Sequence, residues 1–148
     1  MASKPKRTLS IVKKSDKSKT SDKKGPDLVL IVEDNEVLRR LFVSQLRVMG
    51  LTGHEATNGK EAVEYATKNA YGLILMDVSM PVMDGLEATR LIRQMEKETT
   101  KTRTPIVAVT GISDRDACLE AGMDDFMNKP FLLDHLRQVT GRWMKQQA

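Results

Sequence analysis

GLILMDVSMPVMDG, residues 72 to 85, climbs through an unbroken apolar run to one carboxylate, Asp77, and stops. Leu73, Ile74, Leu75 and Met76 are too few for a helix and do not alternate with polar residues, the pattern of a strand buried on both faces of a parallel sheet. Asp77 then closes a central strand, and in open α/β sheets the carboxyl ends of the strands are where ligands sit. Pro81 cannot continue the strand, and Asp84-Gly85 reads as a turn into a new helix. A strand-end Asp also serves simply as a helix cap. What converges on Asp77 decides between the two readings.

Working outward, the same alternation recurs. Leu28 to Val32 is an apolar run ending at Glu33-Asp34, and Asn35 opens a helix whose Leu38, Leu41, Phe42, Gln45, Leu46 and Met49 share one face before Gly50 closes it. Residues 51 to 56 make a weaker strand. Asn58, with Glu61 at the capping-box position, starts a second helix faced by Ala62, Val63, Ala66 and Ala70. Beyond Asp77 come a helix over about 86 to 98, an apolar strand from Pro105 to Val109 that ends at Thr110, and a short helix capped by Ser113 and ended by Gly122. A strand at 125 to 128 leads to Lys129-Pro130, and Leu132, Leu136, Val139 and Trp143 recur at helical spacing. Strands alternating with helices predict an α/β fold, a five-stranded parallel sheet covered on both faces by right-handed crossovers.

All tips of a parallel sheet lie on one edge, so Glu33, Asp34, Asp77, Thr110 and Lys129 converge although none is near the next in sequence. Two like charges about 4 Å apart repel by roughly 4 kcal/mol at an effective dielectric near 20. Three clustered acids therefore call for a cation. Mg²⁺ fits, since it takes one or two carboxylates and leaves positions for water and phosphate oxygens. Lys129 adds a second positive charge and Thr110 a hydroxyl, which suits a phosphoryl group on Asp77.

Composition narrows the function classes. The 148 residues suit one domain, two in five residues are hydrophobic, and no apolar run reaches a membrane span. A soluble, cytoplasmic protein with no membrane partner is expected, with the nucleus as a second location. The net charge of +4 divides unevenly: residues 1 to 27 carry nine Lys/Arg against three Asp, net +6, leaving net −2 for the remainder. That Lys/Ser-rich arm reads as disordered, and its Lys4-Pro5-Lys6-Arg7 cluster as an import signal or an anion-binding patch. The folded domain is placed at 28 to 145. The lone Cys118 reads as a reduced, partly buried helix residue. His54 and His135 have no ligand partner at useful spacing and read as surface or edge residues.

The set Glu33-Asp34, Asp77 with Met80-Pro81 and Asp84-Gly85, Thr110, Lys129-Pro130, and the stretch AGMDDFMNKP at 121 to 130, resembles the receiver domain of two-component response regulators. The resemblance covers residues 28 to about 145. It implies a flavodoxin-like doubly wound sheet of order 2-1-3-4-5, and Asp77 as acceptor of a phosphoryl group from phosphohistidine. It further implies Asp34 as a direct Mg²⁺ ligand beside Asp77 and the Ser79 carbonyl, Glu33 as a ligand through water, and Lys129 on the phosphoryl oxygens before a cis proline. Thr110 and Phe126 are the implied switch residues, although Phe126 is equally a plain core aromatic. Ser79 and Ile112 are the implied tuners of hydrolysis, here too short and too apolar to orient water. Glu33 stands where Asp is commoner, and the short Thr110 to Gly122 stretch gives a two-turn fourth helix.

The implied partners are a histidine phosphotransfer protein or histidine kinase upstream and an unidentified protein downstream. With nothing after the fifth helix, the expectation is a stand-alone receiver that signals through a partner or carries or drains phosphoryl groups, with weak self-phosphorylation and self-dephosphorylation. A plant-like, cytokinin-type relay is one pathway read from the motifs. Two other classes compete. A Mg²⁺-dependent aspartyl phosphohydrolase of the haloacid dehalogenase type needs a second Asp where Ser79 stands. A basic nucleic-acid-associated regulator with a receiver body rests on the arm alone, with at most weak, unspecific contact.

Overall fold

Every residue of Tyr71–Asp77 is buried, as a central strand covered on both faces requires. The computed structural model describes residues 25–111, 115–129 and 133–144. Elements alternate as β1 (Gly25–Val32), α1 (Glu36–Val48), β2 (Thr52–Ala56), α2 (Gly59–Lys68), β3 (Tyr71–Asp77), α3 (Gly85–Thr99), β4 (Ile106–Thr110), α4 (Arg115–Ala121), β5 (Asp125–Asn128) and α5 (Leu133–Met144). The five strands are parallel and ordered β2-β1-β3-β4-β5. This is the flavodoxin-like order, in which the chain reverses direction across the sheet between β1 and β3.

Strand alternation feeds two cores. Leu30, Val32, Ile74, Met76, Ile106 and Ala108 point to one side, against Ala62 and Ala66 of α2, Ala88 and Ile92 of α3 and Cys118 of α4. Val29, Ile31, Leu73, Leu75, Val107 and Val109 point to the other, against Phe42 and Leu46 of α1 and Leu136 and Val139 of α5. The small residues of α2 let that helix lie close to the sheet.

Polar side chains set the helix starts. Asn35, Asn58 and Asp84 each accept a hydrogen bond at 2.9 Å from the backbone N–H three residues on, and so cap α1, α2 and α3. Glu61 answers Asn58 by accepting from the Thr57 N–H at 2.7 Å, the second half of a capping box displaced by one residue. Asp84 thus does more than turn the chain. Gly85 begins α3 so tightly against the sheet that a Cβ there would stand 2.2 Å from the Asp77 carbonyl oxygen, which is why no side chain fits.

Several boundaries differ from the sequence reading. β1 starts at Gly25, ahead of the apolar run, because Gly25 pairs with Tyr71 through its backbone after a register shift. Leu41, placed on the buried face of α1, is 46% exposed, since the face packed against the sheet runs through Leu38, Phe42, Val43, Leu46 and Met49 and leaves Leu41 outside it. Ala70 is exposed and lies beyond α2, whose C-terminal Tyr65 carbonyl is taken by the Asn69 backbone and side chain. β4 starts at Ile106 rather than Pro105, and α4 has seven residues, the two turns expected. Ile112, Ser113, Pro130 and Leu132, and the arm before Gly25, lie outside the described residues.

Candidate functional site

The reversal between β1 and β3 opens a crevice at the carboxyl edge of the sheet, and the acids sit in it. Glu33 follows β1 and is only 2% exposed. Its backbone N–H donates to the Ala56 carbonyl at 3.0 Å. One carboxylate oxygen, Oε2, accepts from the Asn35 N–H at 3.2 Å. Asp34 is exposed in the turn before Asn35. Asp77 ends β3 at 3% exposure, and its Oδ1 accepts from the Ser79 N–H at 3.2 Å. Each of the three acids offers an oxygen within 4.8 Å of the others.

Lys129, just past β5, spans two of them. Its Nζ is 3.1 Å from Glu33 Oε1 and 3.4 Å from Asp77 Oδ2, and its N–H donates to the Thr110 carbonyl at 2.9 Å. Burial alone would lower its pKa, but the Asp77 and Glu33 carboxylates outweigh that and raise it, so it is firmly an ammonium. Among the described residues one lysine faces three acids, which leaves the cluster short of positive charge. Burial first, then Asp77, pushes the Glu33 carboxyl up to about 7, against the opposing pull of the Asn35 N–H and Lys129.

This donor set fits Mg²⁺. It is all oxygen, it holds excess negative charge, and Glu33 Oε1 is buried without a properly aligned hydrogen bond although an ammonium stands near it. A bound cation would relieve both conditions.

The other predicted residues fall around this centre. Thr110 ends β4 at 5% exposure. With Val78, Ser79, Met80, Asp84, Ala117 and Cys118 it lines a cavity of about 380 Å³ between the β3–α3 loop and α4. Ser79 is exposed on that loop, and Cys118 is buried more deeply than expected. Phe126 is half-buried in β5 opposite Ala108, with the Arg115 guanidinium 4.0 Å from its ring centroid. His54 lies on the edge strand, half-buried, with Nδ1 2.8 Å from the Tyr71 hydroxyl, and burial lowers its pKa. His135 is exposed on α5. Neither histidine has a place in the acid cluster.

Three features escaped the sequence reading. Arg39 reaches from α1 to the Glu33 carbonyl. Val82 adopts φ +71° in a tight turn closed by the Met83 N–H on the Pro81 carbonyl at 2.8 Å, a conformation that a β-branched residue rarely takes. Pro81 and Asp84-Gly85 signalled a tight loop, but Val in place of Gly hid the positive φ. Val37 and Val82, 79% and 78% exposed, are apolar side chains left in solvent on the first turn of α1 and on the β3–α3 loop.

A family model described as the response regulator receiver domain matches residues 29–140. The hybrid signal transduction protein dokA of Dictyostelium discoideum is 38% identical over 117 residues, 79% of this chain and 7% of its own length. The hybrid signal transduction histidine kinase G of the same organism is 45% identical over 120 residues, 78% of this chain and 3% of its own length. The chain thus spans a small part of these curated relatives. Among solved structures, the receiver domain of the sensor histidine kinase PA1611 from Pseudomonas aeruginosa PAO1, with a magnesium ion coordinated in its active-site cleft, is 38% identical with a TM-score of 0.73. That match covers 80% of this chain and 98% of that one. The Saccharomyces cerevisiae co-crystal structure of the phosphotransfer protein Ypd1 and the receiver domain of Ssk1 matches with 33% identity and a TM-score of 0.78, covering 86% of this chain and 94% of that one.

Proposed function

Because the chain belongs to the response regulator receiver domain family, we propose that it accepts a phosphoryl group from a phosphohistidine onto Asp77 in a His-to-Asp phosphorelay. The observation that carries this reading is the trio of acids within 4.8 Å of one another, with Lys129 bridging Glu33 and Asp77. An Asp77 carboxylate oxygen attacks phosphorus in line, the P–N bond to the donor imidazole breaks, and the imidazole leaves with its electron pair and takes up a proton. The Ser79 N–H holds the other Asp77 oxygen aside. Lys129 exchanges its contact with Asp77 for the incoming phosphoryl oxygens, and Thr110 donates its hydroxyl to them. Asp34, Asp77 and the Ser79 carbonyl would hold Mg²⁺, with Glu33 acting through water, and the ion would supply positive charge beside the transferring phosphoryl oxygens.

The donor is a histidine phosphotransfer protein or a histidine kinase. Val37 and Leu41 on α1 and Val82 on the β3–α3 loop flank the carboxyl edge and give such a partner an apolar landing beside Asp77. The signal leaves through a downstream protein that senses Thr110 and Phe126. Ser79 offers an attacking water only a short hydroxyl, and Ile112, which lies outside the described residues, offers none. The phosphorylated protein is therefore long-lived and is discharged by back-transfer or by a separate phosphatase.

Replacing Asp77 by Asn keeps the shape and removes the nucleophile. With a radiolabelled phosphohistidine donor, D77N takes up no label while retaining the parent's far-UV circular dichroism. Label that persists on D77N would overturn the assignment.

A further inference from the structure

Arg39 occupies the second turn of α1 with its side chain only 12% exposed, and its side-chain bonds run to the residue after β1 and to β2. Nη1 donates to the Glu33 carbonyl at 3.0 Å, and Nε donates to Glu55 Oε1, at the end of β2, at 2.9 Å. The Glu33 N–H is already held by the Ala56 carbonyl. The Glu33 carbonyl belongs to the peptide that joins Glu33 to Asp34. Fixing that oxygen fixes the plane from which the exposed Asp34 side chain hangs, and among the described residues no other contact holds Asp34 itself.

We propose that Arg39 is a positioning residue for the metal carboxylates: through the Glu33–Asp34 peptide it sets where Asp34 stands relative to Asp77. The inference rests on reading the acid cluster as a Mg²⁺ site. Its effect is one of geometry more than charge, because Glu55 matches the guanidinium and the pair presents a nearly neutral unit to the cluster. The planar fork matters, since one flat group meets two acceptors, one just past β1 and one on β2. Arg39 donates from Nη1 and Nε, two atoms held at fixed spacing in one plane, and a lysine, with all its donors on one nitrogen, does not reproduce that spacing.

Geometry of this kind has a distinctive signature. Mg²⁺ demands near-octahedral ligands at short range, whereas Ca²⁺ accepts longer and less regular ones. Misplacing Asp34 should therefore cost Mg²⁺ more than Ca²⁺. Calorimetric titration of folded parent, R39Q, R39K and E55Q with each ion tests this. R39Q and R39K are expected to bind Mg²⁺ about tenfold more weakly than the parent, the usual effect of removing an outer-shell partner. Ca²⁺ affinity should change much less, and E55Q, which keeps the bond to Glu33, should fall between. If R39Q does not fold, R39K and E55Q carry the comparison. Unchanged Mg²⁺ affinity in the arginine variants, or equal losses for the two ions, would overturn the role of Arg39. A parent protein that binds no Mg²⁺ would instead overturn the metal site.

Discussion

Glu33 and Asp125 are both acids beside strand ends, and burial pushes both toward the neutral form, yet they come out on opposite sides of the ordinary carboxylate range. Glu33 is raised to about 7. Asp125 is lowered, because the Trp143 indole N–H, the Phe126 N–H and Arg142 together outweigh its burial. The same division separates the two edges of the sheet. At the amino edge, Arg93 is bonded to Asp124, Glu96 and the carbonyls of Thr104 and Gly122. Asp124 also accepts from Arg103 and from the Ile106 N–H, and Glu96 accepts from the Thr104 N–H. Two acids meet two arginines, net zero. At the carboxyl edge, among the described residues, three acids meet one lysine, an excess of acid. Buried charge that is matched and hydrogen-bonded holds a fold together, while buried charge left unmatched waits for something to bind.

The largest effect that would test this contrast is at the amino edge. D124A strips one of two carboxylates from a side chain only 14% exposed, that of Arg93, and the acceptor from the first N–H of β4. The expected loss is about 3 kcal/mol in urea denaturation, because the Arg93 guanidinium loses one of its two carboxylates and the Ile106 N–H its acceptor. A loss under about 1 kcal/mol would mean that the amino edge is no anchor and that the contrast is false.

Removing an acid from the other edge should do the reverse. In D77N two like-charge repulsions disappear, with Glu33 and Asp34, against one lost attraction to Lys129. D77N should therefore gain about 1 kcal/mol of stability in metal-free buffer. The gain should vanish in saturating Mg²⁺, because the ion stabilises the parent more than the variant. A metal-free D77N less stable than the parent would show that Lys129 already balances the site.

The carboxyl edge was legible in the sequence and the amino edge was not, for a physical reason. Glu33, Asp34, Asp77, Thr110 and Lys129 each follow an apolar run, so strand periodicity points at them and the parallel topology gathers them. Asn35 and Asn58 were visible as caps because capping is local, a matter of three residues. Arg93, Asp124 and Arg39 act largely through partners on other elements, and nothing in their local pattern names those partners. Leu41 misled because a helix stripe read at every apolar position is not the packed face, which runs through Leu38, Phe42, Val43, Leu46 and Met49. Gly25 was missed because strand pairing uses the backbone and needs no apolar side chain.

The smallest effect concerns Asp125, and it sharpens the contrast by pH. Its side chain is 17% exposed, it accepts from the Trp143 indole at 2.9 Å and the Phe126 N–H at 2.8 Å, and it pairs with Arg142, so it ties β5 to α5. A carboxyl whose folded pKa lies below its unfolded value of about 3.9 stabilises the fold fully above that value. The contribution is lost as pH falls through the lower folded value. D125N cannot be ionised, so at neutral pH it should be about 1 kcal/mol less stable than the parent, a typical worth for hydrogen bonds to a charged acceptor near the surface. Between pH 7 and pH 5 that difference should stay constant, since neither state of Asp125 titrates there, and below about pH 4 it should shrink as the parent's carboxyl takes up its proton. Trp143 reports the same event locally, because its indole loses a charged acceptor in acid and its fluorescence should change in the parent but not in D125N. A stability difference that persisted unchanged to pH 2 would mean that Asp125 acts through shape alone and that the amino edge owes nothing to its charge.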